Sequence, residues 1–165
     1  MPASRWTRFY MGKNNSTERV KTLSNNMIFI DTGFIIAFFN KKDKHYREAR
    51  EIIMRILEDF PHMRFIYSDY IFDEFITLMK KEKIVIEKTK RAGENILKSK
   101  IWKMFQIDCN IFSKTWEMIK QYDDKGWSFT DASSFALMEE LGIRHYLAYD
   151  RHFSQYENIS NFLKE

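Results

Sequence analysis

The sequence predicts an α/β fold with a mostly parallel sheet, and three observations carry that expectation. Short apolar runs (MIFI at 27–30, FIYS at 65–68, HYLAY at 145–149) alternate with stretches whose apolar residues recur at helical spacing. Strands that alternate with helices pair in parallel through right-handed crossovers. With 15 Phe, only two Pro and no internal repeat, the 165-residue chain suits one domain with a sizeable, tightly packed core.

In chain order, 27–30 reads as a buried strand, 34–39 as the start of a helix or turn, and 40–43 as a loop. Ala49, Ile52, Ile53, Ile56, Leu57 and Phe60 step by three and one, a single helical stripe over 44–60 that Pro61 ends. A second strand is expected at 65–68 and a helix from 70 to about 83. Two charged helical segments follow, with Gly93 between them. A third strand is expected at 104–108, a helix at 111–122, a loop at 124–129 and a helix at 131–141 closed by Gly142. A further strand at 145–149 and a short edge strand from 160 complete the expectation.

Composition narrows the class. The single Cys109 excludes a disulfide framework and a cysteine-based zinc site, and suits a reducing, cytoplasmic setting. No apolar run reaches the roughly 18–20 residues that span a bilayer, and nothing reads as a signal peptide, so no membrane role is expected. The formal charge of +4 is local. Residues 1–26, a basic extension, carry Arg5, Arg8, Lys13, Arg19 and Lys21 against Glu18, and the body from 27 to 165 balances. Within that body, 80–103 holds nine basic residues against Glu82, Glu87 and Glu94. Lys88, Lys90 and Arg91 in this segment are candidate RNA contacts, because phosphate neutralisation dominates nonspecific affinity.

Four carboxylates do not behave like ordinary surface charges. Asp31 follows the strand MIFI in an otherwise uncharged stretch, and burying it bare costs several kcal/mol. Asp150 follows the strand HYLAY, and parallel sheets bind ligands beyond the carboxyl ends of their strands. In SDYIFDEFITLMKK, a helical wheel puts Ile71, Phe72, Phe75, Leu78 and Met79 on one face, aims Glu74 at its flank and turns Asp73 outward. Asp131 completes a capping box that starts at Ser128, so taken alone it reads more readily as a helix cap than as a ligand, and only the company it keeps argues otherwise. Were the four to converge, two carboxylates at 4 Å would repel by about 4 kcal/mol at an effective dielectric near 20, and a divalent cation would offset it. Oxygen-only donors favour Mg²⁺ or Mn²⁺, whose retained waters suit phosphodiester hydrolysis.

Together MIFIDTGFIIAFFNKKDKHY, YSDYIFDEF and GWSFTDASSFALMEELGIRHYLAYDRHF, in that order over 27–153, resemble the PIN-domain ribonucleases, especially VapC-like toxins of toxin–antitoxin pairs. The resemblance implies a three-layer α/β/α sandwich and a Mg²⁺- or Mn²⁺-dependent endoribonuclease that hydrolyses RNA. It also implies a homodimer and a small antitoxin protein that blocks the site. It maps the metal-binding and catalytic acids onto Asp31, Glu74, Asp131 and Asp150, with Thr32, Ser128 and Thr130 in support. Gly33 departs from the pattern, which has a serine there, and residues 1–26 fall outside it. The alternative reading is a catalytically silent PIN module that binds RNA or a partner protein. A phosphotransferase with an Asp nucleophile is weaker, because Gly33 stands where a second acid is needed. His45 and His152 read as loop or helix-start residues, and Trp102, Trp116 and Trp127 as core, with Trp127 the one to weigh as a base-stacking surface.

Overall fold

The computed structural model describes residues 26–81, 86–157 and 159–163. The basic extension at 1–25 and the end of the helix expected to run to 83 lie outside the described residues. The elements are β1 (Met27–Ile30), α1 (Thr32–Phe39), α2 (Tyr46–Asp59), β2 (Arg64–Ser68), α3 (Asp69–Lys81), α4 (Ile86–Leu97) and β3 (Trp102–Phe105). Then come α5 (Cys109–Gln121), α6 (Phe129–Leu141), β4 (His145–Leu147), a 3₁₀ turn (His152–Gln155) and β5 (Ser160–Asn161).

The five strands form one sheet in the order β3-β2-β1-β4-β5, every pair parallel. Ile28, Phe29 and Ile30 are fully buried, as a strand covered on both faces must be. On one face Phe65 and Tyr67 meet Trp102, which packs on Phe38 and Phe39 of α1, while Phe72 of α3 reaches Tyr67. On the other, Phe29 and Tyr146 meet Phe153, which abuts Phe135 of α6. These are the three layers of an α/β/α sandwich. Residues 132–138 of α6 are all buried; the hydroxyls of Ser133 and Ser134 are satisfied by the Thr130 carbonyl at 2.9 and 2.8 Å.

Three expectations need correction. Gly93 does not separate two helices; α4 runs through it. A Cβ there would come within 3.3 Å of Ile76 Cδ1 and 3.5 Å of Phe72 Cζ, so the glycine serves close approach of α4 to α3. The third strand is Trp102–Phe105, not 104–108, because pairing of Phe65 with Trp102 and of Ser68 with Phe105 sets its register. Trp116 is 52% exposed and not core, whereas Trp102 and Trp127 are buried. Trp127 is enclosed by Tyr122, Phe135 and Tyr156, which removes it as an open stacking surface.

Candidate active site

The chain builds outward from β1 through β2 to β3, then returns to place β4 on β1's other side. That reversal sets a topological switch point at the carboxyl ends of β1 and β4, the place where open α/β sheets bind ligands. Asp31 is the one residue between β1 and α1. Its N–H donates to the Leu147 carbonyl at 3.0 Å, fastening the end of β1 to the end of β4. Its side chain caps α1, Oδ2 accepting from the Gly33 N–H at 3.1 Å.

Asp31 is only 7% exposed. Burial drives its pKa up to about 7; the N–H groups of Gly33 and Thr32 pull it down, and the charges of Asp131 and Glu74 push it further up. Those last two causes place three carboxylates in one electrostatic neighbourhood. Glu74 projects half-buried from α3 while Asp73 is exposed, as the helical phase predicts. The Thr32 hydroxyl donates to Glu74 Oε2 at 2.6 Å and so orients it.

Asp131 is both cap and rim acid. Its Oδ2 accepts from the Ser128 N–H and hydroxyl, each at 2.8 Å, and its own N–H donates to Ser128 Oγ at 3.0 Å. Thr130 acts through its carbonyl, which holds the two serines of α6. Asp150 stands at the outer edge, more than half exposed, its Oδ1 accepting from the His152 N–H at 2.9 Å. His152 joins the two outer acids: its Nδ1 is 3.5 Å from Asp131 Oδ2 and 3.8 Å from Asp150 Oδ1. Sequence reasoning left His152 as a loop residue, since nothing local to it signals the contact with Asp131.

Lys88, Lys90 and Arg91 are exposed on α4, Lys90 pairing with Glu87 at 3.2 Å. Gly93 of α4 meets Phe72 and Ile76, which flank Glu74 in sequence and project from the opposite side of α3. Glu74 and the basic side chains of α4 therefore lie on opposite sides of the α3–α4 contact.

Among the described residues, no three carboxylate, imidazole or thiol groups are gathered closely enough to hold an ion by themselves. The chemistry of the rim nonetheless fits a hydrated hard cation. All four candidate donors are carboxylates, and the innermost is buried without a cationic partner among the causes of its raised pKa. Mg²⁺ commonly binds through one or two carboxylates and keeps several waters, which span gaps of this kind.

Comparison with known proteins converges on one family. The PIN domain matches residues 28–159. The chain is 31% identical over 126 residues to a VapC ribonuclease of Archaeoglobus fulgidus, covering 76% of this chain and 78% of that one. It is 28% identical over 128 residues to the 23S rRNA-specific endonuclease VapC20 of Mycobacterium tuberculosis, covering 78% and 92%. The crystal structure of M. tuberculosis VapC20, described as a Sarcin-Ricin loop cleaving toxin, superposes with a TM-score of 0.69 at 26% identity, covering 80% of this chain and 96% of that one.

Proposed function

This chain belongs to the PIN domain family, and we propose that it is an endoribonuclease, the toxin of a toxin–antitoxin pair, that hydrolyses RNA phosphodiester bonds with Mg²⁺ or Mn²⁺. The observation that carries this reading is Asp31: a buried carboxylate at the sheet's switch point, with Glu74 and Asp131 beside it. Such a site resists ionising until a cation arrives. The relatives named as ribonucleases supply the polymer, RNA.

Asp31 and Asp131 would hold the ion, with Glu74 and Asp150 reaching it directly or through water. When bound, the ion supplies charge neutralisation for the scissile phosphate and a water acidic enough to attack it. The chain's own residues do the positioning. Thr32 fixes the rotamer of Glu74, Ser128 locks Asp131 through the capping box, and His152 links Asp150 to Asp131. The Asp31–Leu147 backbone bond keeps the two strand ends from spreading. Arg151, exposed and next to Asp150 in sequence, would offer a cation to an incoming phosphate. We place the protein in the cytoplasm, as a homodimer with a small antitoxin protein covering the rim; among the described residues no helix is long and apolar enough to cross a membrane.

The test is incubation of the full chain with end-labelled ribosomal RNA, with Mg²⁺, Mn²⁺ or EDTA. Discrete cleavage with either metal and none in EDTA is expected. Cleavage unaffected by EDTA would remove the metal, and intact RNA in every condition would leave the silent, RNA-binding module as the better reading. Co-purification with the product of a neighbouring gene, with loss of cleavage in that complex, is expected of an antitoxin.

A further inference from the structure

We infer that His45 is a positioning residue for Asp150, acting through a three-ring stack in which Tyr149 lies between His45 and Phe34. The inference rests on the nuclease reading above for its catalytic consequence, and on geometry for the stack itself. The ring of Tyr149 lies 4.0 Å from that of His45 at an interplanar angle of 14°, and 5.4 Å from that of Phe34 at 17°. Three near-parallel rings from three separate segments meet here: α1, the start of α2 and the chain leaving β4.

The position of Asp150 needs such a device. β4 ends at Leu147, so Asp150 lies three residues beyond the last ladder residue, where strand pairing no longer holds the backbone. Two contacts take over. Asn161 Nδ2 donates to the Ala148 carbonyl at 2.8 Å, and the Tyr149 ring is gripped by the stack. Because Phe34 belongs to the helix that Asp31 caps, the stack ties Asp150 to the same helix that starts at Asp31.

The polar edges of His45 and Tyr149 are held as well as their faces. His45 occupies the N-cap position of α2 yet makes no capping hydrogen bond with its side chain. Its ring is instead held edge-on, Nδ1 lying 2.9 Å from Glu48 Oε2, while its backbone N–H donates to Asp43 Oδ1 at 2.8 Å. The Tyr149 hydroxyl is buried and faces Glu48, the carboxylate that also meets the His45 ring. Burial, with Glu48 and Asp43 facing it, keeps that phenol neutral. Glu48 thus meets both His45 and Tyr149, which holds the two rings in register.

The experiment compares His45→Ala, His45→Phe and Asp150→Asn in the full chain, reading both hydrogen exchange and RNA cleavage. In His45→Ala, amide exchange over 148–151 should rise while β1 and α6 stay protected, and kcat should fall about tenfold with KM little changed, as expected when a reacting group is misplaced by an ångström or less. His45→Phe, which keeps a flat ring without the Glu48 contact, should restore both. On the Asp150→Asn background, His45→Ala should add no further loss, since the two act through one carboxylate. Unchanged exchange in His45→Ala, failure of the Phe variant to restore, or a full multiplicative loss in the double variant would each overturn the inference. Should the parent cleave no RNA, that failure belongs to the nuclease reading. The exchange rise in His45→Ala, reversed in His45→Phe, then decides the positioning by itself.

Discussion

The carboxylate rim and the basic face of α4 carry opposite charge and hold it in opposite ways. At the rim, Asp31 is buried, its burial opposes ionisation, and its neighbours Asp131 and Glu74 add to that opposition. On α4 the charges are exposed and much of their attraction is spent within the helix, Lys90 on Glu87 and Lys98 on Glu94. Exposed pairs at such spacings contribute only about 0.3–0.5 kcal/mol each. A buried uncompensated carboxylate is worth several times that, with the sign reversed. The rim therefore stores a demand for a cation, while the basic face of α4 offers a diffuse field to a polyanion, and substitutions in the two regions should differ in kind.

The largest effect is expected at Asp31. Asp31→Asn should abolish metal-dependent cleavage, a loss of at least about a thousandfold, or on the order of 4 kcal/mol in the barrier. It should leave the fold intact. The same substitution should change how stability varies with pH in EDTA. Burial pushes the pKa of Asp31 up to about 7 from its ordinary 3.8, so the folded state binds the extra proton and stability falls as pH rises through that window. The fall should amount to up to about 4 kcal/mol and level off above the folded pKa. Urea unfolding at a series of pH values should show this slope in the parent and lose it in Asp31→Asn. A parent whose stability does not fall through the window would show that the rim stores no such demand.

Next comes the contrast inside α3. Glu74→Ala should cut cleavage tenfold or more, about 1.4 kcal/mol in the barrier, and Asp73→Ala should be nearly neutral. Both remove one negative charge from the same helix, so any difference measures direction and not net charge. Equal losses in kcat/KM at the two positions would erase the distinction between an aimed and a solvated carboxylate.

What was legible in the sequence follows the same divide between local and long-range physics. The helical phase of Glu74 and Asp73, the capping box at Ser128 and Asp131, and the strand MIFI rest on neighbours within a few residues, and the structure carries all three. Gly93 was misread because a glycine breaks helices by local rules, whereas here Ile76 and Phe72 from another helix require it. Trp116 and Trp127 look alike in sequence, yet one is exposed and the other enclosed by three aromatic rings. His152 touches Asp131 across the whole of α6 and β4, a separation that no local pattern carries.

A smaller effect is expected from the basic face. Reversing Lys88, Lys90 and Arg91 to Glu should weaken RNA binding and flatten its salt dependence by a slope of about 0.7 per lost phosphate contact on a single strand. Because α4 lies across α3 from Glu74, KM should rise while kcat holds. Deleting residues 1–26 should matter less. Binding measured across a salt series for the triple variant, the deletion and the parent decides it. If only the deletion flattens the slope, the basic extension is the RNA arm and the helix pair is a solvated surface.

The smallest effect separates the charge of the helix pair from its geometry. Gly93→Ala removes the conformational freedom of a mid-helix glycine, a gain of about 0.8–1.0 kcal/mol in helix propensity. Against it stands the 3.3 Å approach of the new Cβ to Ile76 Cδ1 and the 3.5 Å approach to Phe72 Cζ. Both atoms are far ends of side chains that are only partly buried, so they can yield by a few tenths of an ångström. The strain should take back roughly half of the gain, leaving a net stabilisation of no more than about 0.5 kcal/mol in urea unfolding. The basic side chains keep their places on the outer face, so the salt slope of RNA binding should match the parent's. A loss of stability above about 1 kcal/mol would mean the α3–α4 contact is as tightly packed as the sheet core. A changed salt slope with unchanged stability would mean that the spacing of the two helices, and not only the charge on α4, sets how RNA is held.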